Sequence, residues 1–166
     1  VNVRDFDSKE DYLQSINGKN SASYYSRKAK KRNYSFKEIN PNDFLDDIFE
    51  INTSSLSRQG RQMDKSYLQK KEKYEEKSYI KRYGVLDEGK KLRAYCWFGI
   101  SKEVGIISTI LGHKDYLNDG IMYFLVTNII GESFGNPKMK YVMYDMHFGG
   151  SDGLKMFKRK LGFKPF

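Results

Sequence analysis

The chain has 166 residues, 39% hydrophobic, 15% aromatic and 31% charged, and carries a formal net charge of +9. A chain of that length makes one domain and hides roughly 70% of its unfolded surface, enough for a core, so disorder throughout is excluded. A membrane-spanning helix is excluded too: the most apolar helical run, Ile121 to Ile130, falls short of the roughly 20 residues a bilayer requires and holds Thr127 and Asn128.

The N-terminus reads VNVRDFDSKED, without the apolar stretch of a secretory signal, so a cytoplasmic protein is expected, and the missing initiator Met suggests a trimmed or partial chain. Cys96 alone makes neither an intramolecular disulfide nor a thiolate cage. His113 and His147 lie far outside His-x-x-x-His spacing, so no metal site is expected. No repeat and no Pro-rich or Gly/Ser-rich linker interrupts the chain, and residues 1–166 read as a single domain.

In chain order, residues 8–16 start on a Ser cap and read as a helix, and NGKN (17–20) breaks it. A second helix covers 22–33, with basic residues in its last turns, followed by a short strand at 34–39. Residues 41–52 place Pro41 at a first helical position after Asn40 and repeat Phe44, Leu45, Ile48, Phe49 and Ile51 at helical spacing. After the polar loop 52–63, a helix capped by Asp64 is predicted over 64–77. Strands at 79–87 and 91–101 flank a Glu88-Gly89-Lys90 turn. A strand (104–112), a loop (113–119), a helix (120–135), a strand (140–148), a helix (151–161) ended by Gly162-Phe163, and a closing strand complete the order. An antiparallel hairpin joined to a strand-helix-strand unit predicts an α/β fold: a mixed central sheet, antiparallel plus one parallel pair, flanked by helices.

The sequence holds no G-x-x-x-x-G-K-[ST], no G-x-G-x-x-G after a strand and no G-x-S-x-G, so phosphate-loop NTPases, dinucleotide enzymes and nucleophile-elbow hydrolases lack their motifs. Cys96 within AYCWFGI reads as a small apolar strand residue rather than a nucleophile. Acyl transfer to an amine needs no nucleophilic side chain, because a deprotonated amine attacks a thioester or ester once the two are oriented and the oxyanion is stabilised.

The closing segment KYVMYDMHFGGSDGLKMFKRKLGFKP (140–165) resembles the end of the GNAT superfamily of N-acyltransferases, most of all their Fem-type (FemAB-like) aminoacyltransferase branch. The matching positions are Gly153, Leu154, Phe157, Lys158 and Gly162, and RKAKKRNYSFKEI (27–39) is similar to the basic helix and strand that open such domains. The resemblance implies a GNAT-like fold and a co-substrate, acetyl-CoA or another acyl-CoA, or an aminoacyl-tRNA, with no permanently bound cofactor. It implies that Ile107, Ser108, Thr109, Ile110 and Leu111 run along the donor, and that Asn118 and Gly120 belong to the turn that meets its phosphates. HKDYLNDGIM (113–122) departs from the family's phosphate loop, with one glycine and with Asp115 and Asp119 nearby. Lys158 stands where many GNAT enzymes carry a Tyr, and it is the candidate for stabilising negative charge at the carbonyl or leaving group, against a solvated helix lysine.

Asp145 and His147 share one face of their strand and are candidates for binding and deprotonating the amine, or else a polar strand-end pair. His113, at the exit of the preceding strand, approaches them if the strands are neighbours. Gly149-Gly150 with Ser151-Asp152 starts a helix and offers N–H groups to an anion. In the loop NTSSLSRQGRQM, Arg58, Gln59 and Arg61 are candidate acceptor-binding residues, against a solvated interhelical loop. Basic residues interleave with tyrosines over 19–37 and 58–93, a mixture suited to tRNA or DNA, so a nucleic-acid-binding or DNA-base-modifying module with a GNAT-like fold stays in competition with the acyltransferase.

Overall fold

The computed structural model of the chain describes residues 1–58, 61–144 and 150–165, and of Arg61 the backbone. Helix α1 (Lys9–Ser15) starts on Ser8, whose hydroxyl accepts from the Asp11 N–H, and α2 (Ala22–Lys31) starts on Ser21 in the same way, through the Tyr24 N–H. Strand β1 (Ser35–Glu38) follows. Asn40 then caps a 3-10 turn, Pro41–Phe44, that runs into α3 (Leu45–Thr53). Within the polar loop, β2 (Ser57–Arg58) and β3 (Arg61–Gln62) pair antiparallel as a small separate ribbon.

The main sheet contains β1, β4 (Ile80–Leu86), β5 (Leu92–Ser101), β6 (Val104–Gly112) and β7 (Tyr141–Tyr144), in the order β1-β4-β5-β6-β7. Every neighbouring pair is antiparallel except β6 and β7, which are parallel and joined through α4 (Ile121–Ser133). This is the mixed sheet expected from the sequence. Helix α5 (Asp152–Lys160) follows β7, capped by the Ser151 hydroxyl, which accepts from the Leu154 N–H.

Alternation along the strands splits the core into two clusters, one on each face of the sheet. Val85, Ala94, Cys96, Phe98, Ile107 and Val142 pack with Ile121, Leu125, Ile129 and Ile130 of α4. On the other face, Tyr95, Leu92, Leu86 and Leu111 pack with Ile48 and Ile51 of α3. Because α4 is apolar nearly all round, it lies buried between the sheet and α2, with the Thr127 and Ser26 hydroxyls paired at 2.9 Å where the two helices meet.

Three expectations change. Only Lys65–Leu68 of the helix predicted at 64–77 is helical, as one 3-10 turn; Asp64 does cap it. The segment offers Tyr67, Leu68 and Tyr74 among many charges, too little apolar surface for a helix to bury. Tyr74 instead meets Trp97 edge-on at 5.6 Å while its backbone exchanges two hydrogen bonds with the Asn42 side chain. The loop predicted at 113–119 contains a 3-10 helix, Lys114–Asp119, started by His113, whose Nδ1 accepts from the Asp115 N–H. No strand follows α5 among the described residues.

Candidate functional site

The site is built on an irregularity in β6. Trp97 pairs with Thr109 and Phe98 with Ile107, so Ser108 is an extra residue, a β-bulge, and its hydroxyl donates to the Trp97 carbonyl at 3.0 Å. The extra residue reverses the parity of the strand. Ile107 and Ile110, three apart, therefore both join the α4 side, while Leu111 turns to the α3 side. Pairing with β7 runs from Val104↔Tyr141 to Ile107↔Tyr144, whereas pairing with β5 carries β6 on to Gly112.

Beyond that last parallel pair lies a cavity of about 450 Å³. Ile110, Leu111 and Gly112 form one wall, and Tyr144, Leu154 and Phe157 form the other. Met122 and Tyr123 close it at the start of α4, and Ser55, Ser57 and Arg58 of the polar loop after α3 also line it. The second wall follows from the sequence of α5: Leu154, Phe157 and Leu161 recur at helical spacing, and Leu161 is fully buried. Gly162 takes φ +79°, its N–H bonds the Arg159 carbonyl, and the Phe163 N–H bonds the Lys158 carbonyl. This left-handed ending turns the chain back so that the Phe163 ring packs on Tyr144 at 5.7 Å. Tyr123, in turn, packs on Phe157 at 4.6 Å.

Lys158 does not line the cavity. It is 4% exposed within the apolar stripe of α5, and its Nζ sits 4.5 Å from the centroid of the Tyr144 ring. Arg58 does line the cavity, but its guanidinium is engaged with backbone: Nη1 donates to the Gly112 carbonyl at 2.8 Å, and Nη2 to the Ile51 carbonyl at 2.7 Å and the Ser54 hydroxyl. Burial pulls this guanidinium below its ordinary range, and its Nε is buried with no partner among the described residues. Arg58 thus ties the polar loop after α3 to the C-terminal end of β6 and to α3.

Of the β6 residues expected to run along a donor, Ile110 and Leu111 line the cavity, Ile107 lies in the core, Ser108 occupies the bulge and Thr109 pairs with Trp97. The Asn118 carbonyl accepts from the Lys28 Nζ. Gly120 takes φ +86° at the start of α4, where a Cβ would come within 2.4 Å of the Tyr25 carbonyl oxygen. As the N-cap residue, Gly120 has no side chain with which to cap the first turn of α4. Asp119 is held by Arg32 and by the Tyr34 hydroxyl and turns from the cavity toward a separate polar cleft beside Asp87. His113 is buried with its Nε2 3.6 Å from Glu50 and its ring against Tyr116, on the α3 side. Asp145, His147, Gln59 and Gly149 lie outside the described residues, as does the side chain of Arg61.

Tyr144, Tyr123 and Met122 were not singled out from the sequence. The signal for the bulge is present in VGIISTILG, where the doublets Ile106-Ile107 and Ile110-Leu111 break strict alternation at Ser108-Thr109.

No protein-family model matches the sequence, and no curated protein does. Solved structures do resemble it. They include a possible acetyltransferase from Clostridium difficile 630, 15% identical with a TM-score of 0.62, over 80% of this chain and 91% of that one. The ribosomal-protein-S18-alanine N-acetyltransferase from Escherichia coli is 13% identical with a TM-score of 0.59, over 79% of this chain and 77% of its own. L-PGS from Bacillus licheniformis is 17% identical with a TM-score of 0.57 and aligns with 92% of this chain but 46% of its own. At these identities the likeness is one of fold, and the fold is that of the GNAT acetyltransferases. No helix among the described residues is long and apolar enough to cross a membrane.

Proposed function

We propose that residues 1–166 form one N-acyltransferase domain that moves an acyl group from an acyl-CoA to an amine by direct attack within the cavity. The observation that carries this reading is the cavity itself, which opens between the post-bulge half of β6 and the Tyr144-α5 wall. A donor there has strand backbone beside its arm and the uncapped first turn of α4 near its phosphates, where helix N–H groups lack intrahelical acceptors. Lys114 lines that end, and the turning away of Asp119 removes a carboxylate that would repel an anion. The amine acceptor enters from the Ser55–Arg58 side. Catalysis then rests on orientation of the two reactants and on charge stabilisation at the carbonyl.

The protein is tested with acetyl-CoA and, separately, with charged tRNA, against a pool of amines including amino sugars, peptides and polyamines, with mass detection of modified amines. Transfer from acetyl-CoA is expected. Transfer from charged tRNA alone replaces the donor by an aminoacyl ester and favours the Fem-type branch. Transfer from neither, with nucleic-acid affinity that falls steeply with salt, replaces the enzyme by a basic binding module.

A further inference from the structure

We infer that the outer face of α2 is a docking track for a single-stranded nucleic acid, with Arg27, Lys28 and Lys31 on its phosphates and Tyr24 under a base. The track stands apart from the acyl-transfer reading and does not rest on it.

The chain has two basic, tyrosine-rich segments, 19–37 and 58–93, and the tertiary contacts treat them differently. In the second, many of the cations are already engaged. Lys70 pairs with Asp46, Lys81 with Glu38, Lys91 with Glu50 and Arg93 with Asp87, while Arg58 is taken up by backbone. Lys73 and Lys77 stay exposed, but Glu72, Glu75 and Glu76 are interleaved with them.

Helix α2 leaves its charge open. Ala22, Ser23, Ser26 and Ala29 are its buried residues, so its inner side is spent on the protein. The opposite side then carries Tyr24, Arg27, Lys28 and Lys31, spaced i, i+3, i+4 and i+7, which is one continuous stripe. Arg27 donates to the Ser23 hydroxyl and the Asn17 side-chain carbonyl, and Lys28 donates to the Asn118 carbonyl. Those partners are uncharged. No carboxylate pairs with any of the three cations among the described residues.

The aromatic part of the stripe is held from behind. Tyr24 is 46% exposed and meets Tyr25 edge-on at 5.3 Å; Tyr25 stacks on Tyr123 at 5.0 Å. Lys160 of α5 places its Nζ 5.4 Å from the Tyr25 ring centroid and brings a fourth cation to the same row. An exposed, braced ring among unneutralised cations suits a strand, whose phosphates take the charge while a splayed base stacks on the ring.

Other occupants fit less well. A second copy docked by a two-fold axis would set the positive stripe against itself. A bilayer surface needs an apolar helix face turned outward, and that face of α2 is buried. An acidic peptide satisfies the charge but gives the Tyr24 ring no flat partner.

The test is fluorescence anisotropy of the whole protein with labelled 12-nucleotide RNA and DNA strands of mixed sequence, across salt. A dissociation constant of about 1–100 μM at 0.15 M salt is expected, with a slope of log affinity on log salt of about −3, roughly −0.7 for each of four cations. Arg27→Gln with Lys31→Gln weakens binding about 10-fold and makes the slope shallower by about 1.4. Lys31→Gln alone, at an exposed position, makes about half that change in slope if the double variant folds poorly. Tyr24→Ala weakens the strand about 10-fold, keeps its slope, and leaves a duplex of the same sequence unaffected, because only an unpaired base can stack. Lys73→Gln with Lys77→Gln changes nothing.

No binding at about 0.15 M salt overturns the track, as does an equal loss in the Lys73 and Lys77 variant, which would mean diffuse charge. Polyglutamate of equal charge, or phosphatidylglycerol vesicles, bound as tightly as the strand replaces nucleic acid by an acidic protein or a lipid surface. Tyr24→Ala without effect removes the stacked base and with it the strand. Transfer from acetyl-CoA by a protein that binds no strand removes the track alone, whereas strand binding as expected without transfer removes the acyltransferase reading and leaves the track.

Discussion

The β4-β5 side of the sheet and its β6-β7 edge are built from similar residues and end in opposite conditions. Tyr83, Val85, Ala94, Tyr95 and Cys96 are all 3% exposed or less, whereas Ile106 and Met143, direct partners across β6 and β7, are 39% and 47% exposed. Strand composition is not what separates them. Both faces of the first region are covered, one by α4 and the other by α3, while the α3-side cluster contains no residue of β7 among those described. Exposure at the edge follows from where the helices stop. The bulge at Ser108 adds to this by turning Leu111 back under α3 and leaving Ile110 to the cavity wall.

This contrast is broken most directly at Leu92, 1% exposed beneath α3, where Leu92→Ala is expected to cost about 2–5 kcal/mol in urea unfolding. Next comes the link between the regions. Arg58→Ala removes three hydrogen bonds that tie the polar loop after α3 to β6 and to α3 itself, with an expected loss of about 1–3 kcal/mol. Because the Gly112 carbonyl is among the partners, apparent affinities for both acyl donor and amine acceptor are expected to weaken. Weakening of the acceptor alone would return Arg58 to the role of a substrate ligand.

A pH series separates the regions more gently. Burial raises the Cys96 thiol above its ordinary 9.0 and the Tyr12, Tyr83 and Tyr95 phenols above their ordinary 10.0. The unfolded chain thus releases these protons first, so their contribution is fully present below about pH 9 and declines as pH rises through 9 and 10. Urea midpoints measured from pH 8 to 11 are expected to fall, and a flat series contradicts the burial of these groups. The smallest effect is expected at the open edge, where Met143→Ala changes stability by no more than about 0.5 kcal/mol.

Much of this was legible in the sequence because it depends on neighbours along the chain. Ser8, Asn40 and Ser151 cap where their side chains reach the next N–H groups, Glu88-Gly89-Lys90 turns a hairpin, and Gly162 ends α5. The segment 64–77 misled because charged residues suit an isolated helix, while the docking of Tyr74 on Trp97 is a contact between distant segments. Arg58 shows the same limit. Its position in a polar loop suggests a free cation, and only the approach of Gly112 and Ile51 makes it a tie.

By itself, the sequence determined the capped helices and the strands of the main sheet, the mixed direction of that sheet and the segment from which Lys158 projects, because caps, turns and periodicity act over a few residues. The tertiary structure decided what those side chains meet. It set the Lys158 ammonium against Tyr144, spent Arg58 on backbone carbonyls, turned Asp119 toward Arg32 and opened a cavity past Ile107. Each of these depends on packing between elements far apart in the chain, and no local pattern of residues encodes such a distance.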